Sequence, residues 1–168
     1  MSRGFVKEDD QEEAPFIPPR AALPAGVINY VTPFGYKKLI DERSGLEQER
    51  SDLNITDDKE RRHALAVLDG TINLLQDRIN SSRILKPEEQ PQDEVRFGAT
   101  VTFKNLSEAS NKTLKFQLVG VDEANIKDQK IAFVAPIAKA LTGKKVGEIT
   151  QAFMAGKDQQ LEILAIEY

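Results

Sequence analysis

The sequence predicts an α+β protein, with an N-terminal antiparallel helical hairpin followed by a small antiparallel-sheet domain. Three observations predict it. Apolar side chains recur at spacings of three and four as far as Ile79. Beyond the proline-bearing stretch Lys86-Pro-Glu-Glu-Gln-Pro-Gln-Asp93 the period changes to two. The chain has 168 residues, enough for two small domains.

Residues 1–31 read as a disordered or extended leader. They hold Pro15, Pro18, Pro19 and Pro24 and an acidic run, Glu-Asp-Asp-Gln-Glu-Glu at 8–13, with no helical or strand period. Phe5, Phe16 and Ile17 are odd in a purely solvating tail and leave open an extended segment docked on the folded part. Residues 32–85 form the hairpin. Thr32 is a capping residue and Pro33 suits the first helical position. Tyr36, Leu39, Arg43, Leu46, Arg50 and Leu53 then trace a heptad seam with arginine at two positions. Thr56 is the expected N-cap of the second helix, with Asp57 and Asp58 in its first turn, where the helix dipole favours acids. Leu65, Leu68, Ile72, Leu75 and Ile79 complete the seam. The short turn Ser51-Asp-Leu-Asn-Ile-Thr56 makes the two helices antiparallel neighbours, and a helix over 57–82 spans about 40 Å.

Residues 86–93 are a linker and 94–168 the sheet domain. Val95, Phe97, Ala99, Val101 and Phe103 alternate with polar residues as one half-buried strand, and Leu114, Phe116 and Leu118 as another. Ile131–Val134 reads as a short buried strand. Pro136–Leu141 reads as a turn or two of helix stopped by Gly143. Ile149–Phe153 and Leu161–Tyr168 pair across Gly156-Lys157-Asp158.

Composition excludes several function classes. There is no cysteine, hence no disulfide framework, thiolate metal site or cysteine nucleophile. The one histidine, His63, lies off the seam on the second helix and has neither a nucleophile nor an orienting acid near it in sequence. A net charge of −4 argues against a broad basic face for bare nucleic acid. No apolar run approaches the ~20 residues of a membrane span, and the acids at 8–13 stand where a signal peptide needs an apolar core. A cytoplasmic protein with no membrane association is the expectation.

Several stretches, taken in order, resemble a known family. They are Thr32-Pro-x-Gly-x-x-x-Leu39, Val95-x-Phe-Gly-Ala-x-Val101, Leu118-Val-Gly-x-Asp-Glu-Ala124, Ala135-Pro-Ile-Ala-Lys-Ala-Leu-x-Gly-Lys-x-Val-Gly147 and Ile166-Glu-Tyr168. Over residues 32–168 this order and spacing resembles the Gre-type bacterial transcription elongation factors. The resemblance implies a coiled coil followed by a domain of FKBP-like fold. It also implies a protein that docks on bacterial RNA polymerase near its secondary channel and reaches in with the coiled coil. It implies no cofactor of its own. Acids at the tip of such factors help hold a Mg²⁺ of the polymerase active site, a hard ion that prefers oxygen ligands. The protein is then no enzyme itself, meets nucleic acid only through the elongation complex, and works as a monomer.

The tip departs from the family pattern. Where the family reads roughly Gly-Asp-x-x-Glu-Asn-Ala-Glu-Tyr, this chain reads Ser51-Asp-Leu-Asn-Ile-Thr-Asp-Asp-Lys59. The nearby acids are Asp52, Asp57, Asp58 and Glu60, nearly cancelled by Lys59, Arg61 and Arg62, and capping of the second helix is their competing role. The first helix is also shorter than the family's. A shortened hairpin occurs too in the regulator of nucleoside diphosphate kinase type, which implies a non-cleaving, polymerase-binding regulator as the alternative. The docking loop implied by the resemblance is Val134, Ala135 and Pro136, with Lys139 behind it. A prolyl isomerase, suggested by the FKBP-like fold alone, is the remaining alternative.

Overall fold

The structure is a computed structural model that describes residues 13–168. The expectations for Phe5 and for the acids at 8–12 lie outside the described residues.

Thr32 accepts a hydrogen bond from the Gly35 amide (2.9 Å) and caps α1 (Pro33–Asp52), with Pro33 at its first position. α2 (Asp58–Ser81) runs back antiparallel after a short turn. Its cap is Asp57, not Thr56: the Asp57 carboxylate accepts from the Glu60 amide at 2.8 Å. An ionised carboxylate is the stronger acceptor at the positive end of a helix, which moves the start by one residue. The apolar seam is densest at the base, where Leu39, Leu75 and Ile79 are buried with Val31 and flanked by Tyr36, Ile40 and Leu46. Farther out Leu68 is still buried, and polar pairs join the seam. Arg43 donates to Gln76 (2.9 Å) and Arg50 to Asp69 (2.5 Å), which accounts for arginine at two heptad positions. His63 is exposed.

Beneath the hairpin the chain enters and leaves side by side. β1 (Asn29–Val31) and β2 (Ser82–Ile84) pair in parallel, Asn29 opposite Ser82 and Val31 opposite Ile84. The leader thus ends in a strand, and the hairpin's last residues are a strand rather than helix. Asn29, only 2 % exposed, donates to the Arg78 carbonyl and pins this ribbon to the end of α2.

The second part is a five-stranded sheet. β3 (Thr100–Asn105), β4 (Thr113–Val119), β5 (Lys130–Ala132), β6 (Ile149–Met154) and β7 (Lys157–Glu167) lie in the order β5-β4-β3-β7-β6, antiparallel except for β5 on β4. α3 (Pro136–Leu141) packs on one face. The core, including Val101, Phe103, Leu118, Leu141, Leu161 and Ile163, lies between them. The strand expected from Val95 begins only at Thr100. Val95, Phe97 and Ala99 are buried as their alternation requires. However, Gly98 has φ +89°, incompatible with a regular strand, and the Gly143 amide caps the Val95 carbonyl. The strand expected to reach Val134 ends at Ala132, since Ala135 donates back to the Ala132 carbonyl in a turn. The last hairpin turns at Ala155-Gly156, φ +51° and +80°, one residue earlier than expected, as a two-residue primed turn demands.

Tyr168 closes the domain. Its hydroxyl donates to the Glu94 carbonyl (2.6 Å) and accepts from the Arg96 amide (2.9 Å). Burial pushes the phenol above its ordinary value of 10.0. The folded state therefore favours the neutral phenol. That stabilisation is complete below pH 10 and is lost as pH rises through the raised folded value. Tyr168→Phe is expected to cost about 1 kcal/mol and to flatten this alkaline loss. Urea midpoints measured between pH 8 and 11 check both.

Candidate functional site

Two regions carry the residues singled out by sequence. At the hairpin tip, Asp52 ends α1 and accepts from Gln48 (2.8 Å). Asp57 is the N-cap of α2, Asp58 pairs with Arg61, and Glu60 lies in the first turn. All four are exposed. Three of the carboxylates are already engaged in local structure. Among the described residues no three acids or histidines gather into a group able to hold a metal ion.

The second region lies where the sheet domain meets the ribbon. Phe133, leaving β5, and Phe97, in the loop before β3, meet edge-on with ring centroids 5.5 Å apart at 82°. Tyr30 of β1 completes the trio at 5.9 and 5.8 Å. Beside them opens a cleft of about 470 Å³, walled also by Val134 and rimmed by Arg96 and Lys139. The cleft thus brings Val134 and Lys139 together. Ala135 caps α3 and packs on the core, and Pro136 opens that helix, exposed to solvent. Of the domain's other aromatics, Phe103 and Phe116 stack in the core and Phe153 is 62 % exposed on β6. Only Phe97 and Phe133 reach the cleft, and each covers the other.

Sequence reasoning missed the groups that join the two parts. Glu123, in the loop after β4 and only 6 % exposed, accepts from the Thr32 hydroxyl (2.5 Å) and from Lys130 (2.9 Å). Lys130 also lies 4.2 Å over the Phe34 ring. Next to it, the Asp122 side chain (8 % exposed) faces Arg20 at 2.9 Å and Arg78 at 3.2 Å. Arg20 holds Glu42 of α1 through two bonds, at 2.8 and 3.1 Å. Its guanidinium is held above the ordinary arginine range, chiefly by the bond to Glu42. The signal was present in Leu118-Val-Gly-x-Asp-Glu-Ala124, a motif with two adjacent acids between apolar neighbours. Gly120 belongs to the same device: a Cβ there would stand 2.6 Å from the Tyr30 carbonyl oxygen.

Comparison with known proteins follows the same lines. The family model described as "Transcription elongation factor, GreA/GreB, C-term" matches residues 90–168. Transcription elongation factor GreA of Acidiphilium cryptum is 36 % identical over 107 residues, covering 64 % of this chain and 67 % of that protein. GreA of Thermodesulfovibrio yellowstonii is 30 % identical over 153 residues, covering 82 % of this chain and 96 % of the relative. Among solved structures, the GreA/GreB factor of Nitrosomonas europaea is 19 % identical with a TM-score of 0.41, covering 83 % of this chain and 98 % of that one. With sequence matches of this extent in both parts, the chain belongs to the GreA/GreB family of transcription elongation factors.

Proposed function

We propose that this protein binds RNA polymerase through its sheet domain and alters elongation with the helical hairpin, which enters the polymerase secondary channel. It acts as a monomer without a cofactor of its own and meets nucleic acid only through the elongation complex. The observation that carries the docking assignment is the cleft beside Val134. An aromatic hollow with a basic rim suits an apolar side chain flanked by carboxylates on the partner. A seam whose Leu39, Leu75 and Ile79 are buried between the protein's own helices supports the monomer. The test is retention of purified RNA polymerase on the immobilised full chain. Val134→Glu with Lys139→Glu, both at partly or fully exposed positions, is expected to weaken retention at least about tenfold. Equal retention by the variant, or none by the wild type, defeats the assignment.

The tip supports a regulator in which cleavage is secondary. Asp52, Asp57 and Asp58 would have to leave existing partners before they could ligate a polymerase-bound Mg²⁺. Cleavage of backtracked RNA in a stalled complex with Mg²⁺ is therefore expected to be weak, and Asp52→Ala with Asp57→Ala to change it little. Strong stimulation that these two changes abolish would make the protein a cleavage factor instead.

A further inference from the structure

Residues 13–28 have no regular structure, yet they are strapped along the hairpin. Ile17 fills a notch over α2 that exists because residue 70 is glycine: a Cβ there would stand 1.9 Å from the Ile17 Cδ1. The Ala21 carbonyl accepts from Arg78 at 2.6 Å. Between these contacts Arg20 reaches in two directions, to Glu42 on α1 and to Asp122 in the loop after β4. We infer that this leader segment sets the direction of the hairpin on the sheet domain, with Arg20 as the positioning residue.

The other attachments cluster at the base, where Thr32 meets Glu123, Arg78 faces Asp122 and Tyr30 packs on Phe97 and Phe133. Contacts gathered at one end of a rod resist its tilting only through a short lever arm. Glu42 is ten residues beyond Thr32, about 15 Å up the helix, so a bond there acts with a long lever arm. Arg20 is suited to the task because its planar guanidinium presents donors on separate edges to two carboxylates at once, which a lysine ammonium cannot do with the same geometry.

The inference rests on the proposed function only for its consequence in transcription. The orientation itself is measured on the free protein. Because the chain has no cysteine, Asn54→Cys at the tip and Gln151→Cys on β6, both at exposed positions, place two spin labels uniquely. The unmodified leader is expected to give one narrow distance. Arg20→Ala is expected to raise the population of other distances at least about tenfold, with circular dichroism and the melting temperature of the sheet domain retained. Arg20→Lys should fall between the two. Gly70→Leu improves helix propensity while expelling Ile17. It should broaden the distance although the helix is sounder, an outcome that loss of folding could not produce. In elongation assays Arg20→Ala should lower the maximal effect while the half-saturating concentration, set by the sheet domain, stays put. A narrow distance in Arg20→Ala or Gly70→Leu overturns the inference. A wild-type chain that polymerase ignores overturns only the proposed function.

Discussion

Phe103→Ala is expected to unfold the sheet domain under conditions in which the wild type is stable. Phe103 sits in the central strand β3, fully buried, opposite Leu114 on β4 and Ile163 on β7. It stacks on Phe116 with centroids 6.2 Å apart. Its truncation removes apolar burial and leaves a cavity in the middle of a single-layer core with only the six-residue α3 above it. Such changes cost about 3–5 kcal/mol, against a total stability of about 5–15 kcal/mol for a whole domain. The urea midpoint should fall accordingly with an unchanged slope, while Phe103→Leu recovers most of the loss. A loss below about 1 kcal/mol would mean that the core can collapse around the gap.

Glu123→Ala is expected to have the next largest effect, on the joint rather than on either part. It takes the acceptor from the Thr32 hydroxyl and the counter-charge from Lys130, which then keeps only the Phe34 ring. Charge-assisted hydrogen bonds of this kind contribute about 1.5–3 kcal/mol each. Lys130 can still turn to solvent, so we expect about 2–3 kcal/mol in all. The expected signature is a split of one unfolding transition into two as hairpin and sheet uncouple. Gly35→Ala should produce the same split from the other side, because its Cβ would stand 2.5 Å from the Glu123 Oε2. This gives the glycine of Thr32-Pro-x-Gly a physical role: the first turn of α1 must let a buried carboxylate lie against its backbone. A single unchanged transition in both variants would show that the joint contributes nothing. A double-mutant cycle with Lys130→Met measures its coupling directly.

Where side chains signalled an element through local chemistry, sequence and structure agree closely. α3 runs from Pro136 to Leu141 as read, because proline at the first position and Gly143 just beyond leave little freedom. α2 starts one residue late only because two good caps stand side by side. The ribbon β1–β2 left no trace, since three-residue strands show no period and parallel partners more than fifty residues apart carry no turn signal. The same holds at the joint: Arg20 and Asp122 are 102 residues apart, and neither residue type is unusual alone. At the tip the acids and a capping role for them could be named, but not that Asp57 would be the cap or that Asp52 and Asp58 would pair with Gln48 and Arg61. The cleft was half legible. Val134 and Lys139 came from a motif, whereas Tyr30 and Phe97 join them only through tertiary packing.

The parallel pairing of Val31 with Ile84 fixes both ends of the hairpin at one place, and this makes the hairpin's length an independent variable. A matched pair of seven-residue insertions, one in α1 and one in α2, would move the tip outward by about 10 Å while preserving the seam and leaving the ribbon, joint and cleft untouched. A ruler of this kind, built on a fixed mount, lets one body be fitted to channels of different depth by changing only the number of heptads.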